Sequence, residues 1–163
     1  YKLTPTSEEL NWKGIPFRTE VLELAKRRVN DHRIYEILSL PSAQVGVIVL
    51  KRLRYVDEIP VVMHTSFFPA DKYSELLKID FTKETMTGAL ENILNVKVSW
   101  AEHKISAIYA DSETAKYLQM NDGEPVIYDE HTLYDDKDEV VEFTKGRFRG
   151  DRFRLKTIVH RDK

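Results

Sequence analysis

Two arginines separated by one residue, Arg52-Leu53-Arg54, close the apolar run Val47-Ile48-Val49-Leu50-Lys51. Side chains alternate along an extended chain, so Arg52 and Arg54 project to the same side as Ile48 and Leu50. Two guanidinium forks converging from an apolar face need an anion, and a phosphate or carboxylate satisfies them bidentately. Two sources of that negative charge are open: a bound anion, or Asp and Glu side chains on neighbouring strands. Glu142 stands beside Val140 and Val141. It can accept hydrogen bonds from ligand hydroxyls or amines, or pair with one of the arginines. His64, in a second β-rich run, is either a ligand contact or a hydrogen-bonded core residue.

Other chemistries find little support. There are no cysteines, which excludes disulfides, zinc-thiolate sites and cysteine nucleophiles. The five histidines, His32, His64, His103, His131 and His160, form no i, i+4 pair and no HExxH motif, so no metal site is expected. The six glycines are not grouped into a phosphate loop, and no GxSxG or Ser-His-Asp pattern is readable. No catalytic residue and no cofactor are expected. Arg147, Arg149, Arg152 and Arg154 interleave with Phe148 and Phe153, a mixture that can bind nucleic acid. Asp151 interrupts it and the net charge is −2, so a solvated strand with local ion pairs is the better reading. The Arg149-Gly150-Asp151 tripeptide is taken as incidental.

The elements that must position these residues follow from periodicity. Two β-rich runs, 45–55 and 59–68, flank a polar turn at Asp57-Glu58 and read as a hairpin. A second hairpin spans 126–134 and 140–148 around Asp136-Lys137. The runs after the two turns, Val61-Val62-Met63-His64-Thr65 and Val140-Val141-Glu142-Phe143-Thr144, are loosely alike and suggest an internal duplication. Residues 96–110 read as a long strand, and a last strand is expected over 153–159. Asp31 and Asp111 or Ser112 are candidate helix caps, the first for a helix ending before Pro41. Helical turns are expected at 74–77 and over 83–94. Residues 19–30 are ambiguous: Val21, Leu22, Ala25 and Val29 lean towards a helix, while Leu22 and Leu24 also suit a strand. Segregated strands and helices with hairpin connections indicate an α+β fold with an antiparallel sheet and flanking helices.

With 163 residues and 42% apolar content, the chain is one domain, or one domain plus a tail. No apolar run approaches the roughly 18 residues of a membrane helix, so no membrane association is expected. The lack of cysteine fits a cytoplasmic protein. The chain opens at Tyr1 rather than at methionine, and residues 1–15 are polar and rich in turn signals. They read as a linker from a missing upstream segment, with the domain proper at 16–163.

The residues also carry a family resemblance. Val47 through Val61, with Arg52-Leu53-Arg54, the acidic turn Asp57-Glu58 and Pro60, resembles the signature of the UTRA domain of GntR-superfamily transcription regulators, HutC branch. Thr65-Ser66-Phe67-Phe68-Pro69 is similar to the family's TSYLP segment. Glu124-Pro125-Val126 and the closing Glu142 … Arg149-Gly150-Asp151-Arg152-Phe153 also match in order, so the likeness spans nearly the whole chain. It implies a chorismate-lyase-like α+β fold, in which 19–30 is a strand. It also implies a homodimer and a winged-helix DNA reader upstream that would make the operator contacts. It implies a small-molecule effector and no turnover. A chorismate-lyase-like enzyme on the same fold is the alternative.

Residue by residue, Arg52 and Arg54 match the arginines that hold an effector's anionic group, and Glu142 matches the acid at its polar end. His64 stands where many members have Glu. Gly88 and Leu90 replace parts of a ligand-contacting Ser-Leu-Tyr segment, and Phe148 stands where Tyr is frequent. These departures put an amino-sugar phosphate in doubt while leaving an anionic metabolite, such as another sugar phosphate or a small organic acid, as the expected effector.

Overall fold

Six strands form one antiparallel sheet in the order β1-β2-β3-β6-β5-β4. A computed structural model describes residues 16–41 and 45–154. The strands are β1 (Arg18–Arg27), β2 (Val47–Val56), β3 (Ile59–Pro69), β4 (Val98–Tyr109), β5 (Pro125–Asp135) and β6 (Val140–Arg149). The helices are α1 (His32–Ile37), α2 (Met86–Gly88), which continues as a π-helical turn over Ala89–Ile93, and α3 (Ser112–Leu118); a 3-10 turn spans Ser74–Lys78. None of the described helices is long and apolar enough to cross a membrane. The chain traces strand–helix–strand–strand twice, as β1-α1-β2-β3 and β4-α3-β5-β6, and the two units meet where β3 pairs with β6. The topology therefore carries the duplication that the two hairpins suggest.

Local chemistry sets the boundaries. Asp57 and Glu58 both take positive φ, 50° and 58°, the backbone of a tight two-residue hairpin turn whose twist matches the flanking strands. The carboxylate of Asp31 accepts from the Arg33 N–H and caps α1; Asp111 accepts from Thr114 and caps α3. Gln119 ends α3 in the left-handed region, and Arg149 donates to the carbonyls of Leu118 and Gln119 there. The same Arg149 forks onto Asp151, so the Arg149-Gly150-Asp151 tripeptide fastens a helix end to the sheet.

Residues 19–30 depart from the helical lean of their local spacing and follow the family resemblance, since most of the segment is strand β1. The register with β2 slips at Leu22, between Val21↔Arg52 and Glu23↔Lys51. The extra residue brings Val21 and Leu24, three apart, into one apolar cluster and sends Leu22 to another. Three-residue spacing on one face imitates a helix, and the bulge produces it in a strand. The strand expected over 153–159 falls mostly outside the described residues, as does the linker assigned to 1–15.

Helices cover the sheet unequally. One face carries α1 and α3: Ile34, Tyr35 and Leu38 pack on Val47, Val49, Phe67 and Phe143, while Leu118 packs on Leu53 and Met63. The opposite face carries the 3-10 turn and α2. There Leu76, Phe81, Met86 and Leu90 pack on Ile48, Leu50 and Phe68. Burying a side chain of this size contributes about 1.5–3 kcal/mol. Strand β4 lies at the sheet edge, and most of its residues are exposed.

Candidate functional site

The sheet register places the predicted polar residues in adjacent rows of one face. Arg52 pairs with His64, His64 with Gly146, and Gly146 with Asp129. The row on one side runs Leu50, Ser66, Thr144, His131, His103, and the row on the other runs Arg54, Val62, Phe148, Ile127. Directly paired residues in an antiparallel sheet share a face, so Arg52, Arg54, His64, Glu142 and Phe148 all lie on the face that α2 covers. That is the face of Ile48 and Leu50, as alternation requires.

Both arginines are buried, Arg52 at 3% and Arg54 at 4% exposure. Nε and Nη1 of each make no hydrogen bond, and among the described residues neither has a salt bridge. Their nearest compensation is aromatic: the Arg52 guanidinium lies 5.6 Å from the centre of the Phe81 ring, and that of Arg54 lies 5.3 Å from Phe17. Burial lowers the Arg52 pKa, and Glu142 opposes that only through space. Arg54 is pushed down to about 9 by burial and by the charge of Arg52. Both guanidiniums stay charged at neutral pH. The two internal explanations, acids on neighbouring strands and a pair with Glu142, therefore do not account for them among the described residues. Glu142 is 3% exposed and accepts instead from the Thr144 hydroxyl. Ser66 and Thr144 lie 2.7 Å apart. With Thr144 donating to Glu142, Ser66 is left as donor in that contact, so the three form one chain ending on the carboxylate.

His64 is buried with its Nδ1 unpartnered, and Phe148 meets its ring edge-on at 5.4 Å. Burial, then the charges of Arg54 and Arg52, hold its pKa well below the usual value, so it is neutral and able both to donate and to accept. Gly146 makes this packing possible: a Cβ there would come within 2.9 Å of the Phe148 ring and 3.2 Å of His64. Leu90 is fully buried in the apolar cluster over Leu50, and the N–H of half-buried Gly88 is taken by the Thr85 hydroxyl. These two positions supply apolar cover and backbone rather than side-chain hydrogen bonds.

The register adds residues that sequence spacing did not single out. Asp129, His131 and His103 continue the same polar floor towards β4. His103 Nδ1 is 3.0 Å from Asp129 Oδ2. Burial alone would raise the Asp129 carboxyl; the hydrogen bond with His103 and the adjacent His131 ring outweigh it and hold the group well below the usual carboxylate range. A surface hollow on the other face is lined by Arg33, Lys104, Glu130, Thr132 and Tyr134. Its arginine is already committed to Glu130, so it offers an anion far less than the Arg52–Arg54 pair does.

A six-stranded antiparallel sheet in this strand order with a few flanking helices is an α+β domain of the chorismate-lyase-like type. The family model described as the UTRA domain matches residues 13–154, and the chain belongs to that family. The HTH-type transcriptional repressor NagR of Bacillus subtilis (strain 168) is 27% identical over 111 residues, 68% of this chain and 44% of that protein. The chain thus spans less than half of that relative. The effector domain of PhnF from Mycobacterium smegmatis superposes with a TM-score of 0.89 at 17% identity, over 99% of this chain and 98% of that one. The C-terminal domain of the histidine utilization repressor from Pseudomonas syringae pv. tomato str. DC3000 gives 0.81 at 23% identity, over 90% and 100%.

Proposed function

We propose that this chain is the effector-sensing domain of a cytoplasmic transcription regulator, a repressor of the HutC branch, that binds a small anionic metabolite and does no chemistry on it. The observation that carries the reading is the pair Arg52 and Arg54, buried and without an anion among the described residues. An unpaired buried charge costs several kcal/mol, and an anionic ligand with two or more acceptor oxygens would remove that cost on binding. Phosphate esters and carboxylates have this chemistry. Glu142, neutral His64 and Phe148 line the adjoining floor for the ligand's polar end, with Gly88 and Leu90 on the covering helix. The regulators among the relatives favour sensing over turnover; fold alone would not decide it.

DNA contact would come from a winged-helix domain outside this chain, in keeping with the chain's net charge of −2. The effector acts by binding one arrangement of a homodimer more tightly than another, since only unequal affinity shifts such an equilibrium. The exposed edge strand β4, with Trp100, Ile105 and Tyr109 uncovered, suits pairing with a second copy. Sedimentation should show twice the chain mass at micromolar concentration, and a persistent monomer of the full regulator would count against it.

The site is tested by titrating a panel of phosphate, sugar phosphates and small organic acids. Hydrogen bonds to charged groups contribute about 1.5–3 kcal/mol each, so Arg54→Ala should weaken the best anion roughly ten- to a hundredfold or more. Arg54→Lys should recover part of this, because an ammonium lacks the planar fork. Equal affinity of wild type and Arg54→Ala would remove the clamp from the account.

A further inference from the structure

At the β5–β4 end of the same face, three side chains form a second cluster that the effector reading does not require. His103 on β4 and His131 on β5 are direct cross-strand partners, and Asp129 lies two residues from His131, so all three point to one side. One ligand atom from each lies within 4.8 Å of the others. His103 Nδ1 stands 3.0 Å and His131 Nδ1 3.4 Å from the same Asp129 oxygen. A tetrahedral ion with bonds of about 2.0–2.1 Å holds its donors roughly 3.3 Å apart. The two distances to the carboxylate are therefore already those of a coordination shell, and the third lies within 4.8 Å. The two rings are tilted by 35° with centroids 5.1 Å apart, rather than stacked flat on each other. His131 Nδ1 is buried and makes no hydrogen bond although it faces the carboxylate.

The geometry points to a divalent transition-metal site, of the zinc class, ligated by His103, Asp129 and His131 with a further position open to water. Two imidazoles and one carboxylate are a donor set that binds zinc while leaving room for another ligand. Adjacent paired strands hold the three donors, so little ordering is needed on binding. The His103 side chain is 42% exposed, which gives the ion a way in. The cluster is separate from the anion clamp: β6 and β3 lie between β5 and β2, about 14 Å across at the usual strand spacing.

The test uses the tag-free chain with zinc chloride by calorimetry, and with cobalt(II) by visible spectroscopy. One ion per chain, a zinc Kd below about 10 μM and intense low-symmetry cobalt bands are expected. His131→Ala and His103→Ala should each weaken zinc at least about tenfold, an effect of about 1.4 kcal/mol. His32→Ala, at an exposed helix position, should change nothing. His103 lies half-exposed on an edge strand, so its variant decides the matter if His131→Ala proves unfolded by circular dichroism. Arg54→Ala should keep zinc binding whatever happens to anion binding, which separates this site from the effector reading. No zinc uptake, or uptake unchanged in folded His103→Ala, would overturn the assignment.

Discussion

The two faces of the sheet treat positive charge differently, although half-buried Arg147 on the α1 and α3 face also has no acid partner among the described residues and lies over the Tyr128 ring. On the α1 and α3 face, Lys145 reaches Asp31 at 2.9 Å, Lys51 reaches Glu113 at 2.5 Å, Arg33 forks onto Glu130, and Arg149 forks onto Asp151. The first two acids sit on the helix α1 cap and in the first turn of α3, and Arg33 itself lies on α1, so charge there ties helix to sheet. On the α2 face, Arg52 and Arg54 are buried with no acid in contact among the described residues. Cation–π contacts recover about 0.5–2 kcal/mol, less than the several kcal/mol that burying an ion costs. One face is arranged for the stability of the fold and the other works against it. On the proposed reading the α2 face is the binding face, because an anion from outside would supply the missing partner.

The largest effect expected from this contrast is a gain in stability. Arg52→Met keeps the length of the side chain, removes the buried charge and leaves an apolar group beside the Phe81 ring. Replacing buried ionic groups with apolar ones of similar volume stabilises by up to about 1–4 kcal/mol. Urea unfolding should show a higher midpoint with an unchanged slope, together with loss of anion binding. A loss of more than about 1 kcal/mol would mean that the guanidinium is satisfied inside the fold, and the contrast between faces would fail.

Much of this arrangement was legible in the sequence, because the decisive signals were local. Asp57-Glu58 between two alternating runs announced the first hairpin, and Asp31 and Asp111 announced helix starts. Alternation from Ile48 to Arg54 put both arginines on one face. Local spacing alone misleads at β1, which the family resemblance gives as a strand, because one inserted residue, Leu22, shifts the alternation and leaves Val21 and Leu24 at helical spacing on one face. The helix expected over 83–94 appears as a short α-turn widened into a π-turn, which leaves Ile93 49% exposed. The His103–Asp129–His131 cluster was invisible to a search for helical ligand spacing. Its donors stand two apart on one strand and join a partner 28 positions away, and only the β4–β5 register brings them together. Gly146 gave no signal either; its role follows from what a Cβ would strike.

The smallest effect belongs to the other face, and it sharpens the comparison. Arg33 lies on α1, its side chain 51% exposed, and forks onto Glu130 of β5 beside the surface hollow there. Exposed ion pairs contribute about 0–1 kcal/mol, because solvent screens them and ordering two long side chains offsets the attraction. Arg33→Ala should lower unfolding stability by no more than about 1 kcal/mol, and the difference should shrink at 1 M salt, where the screening length is about 3 Å. It should leave the affinity for the best anion unchanged, since Arg33 already has its carboxylate. The opposite pattern, anion binding lost in Arg33→Ala and kept in Arg54→Ala, would move the effector to the hollow on the helix face. The buried pair on β2 would then be a cost of the fold with no ligand to explain it.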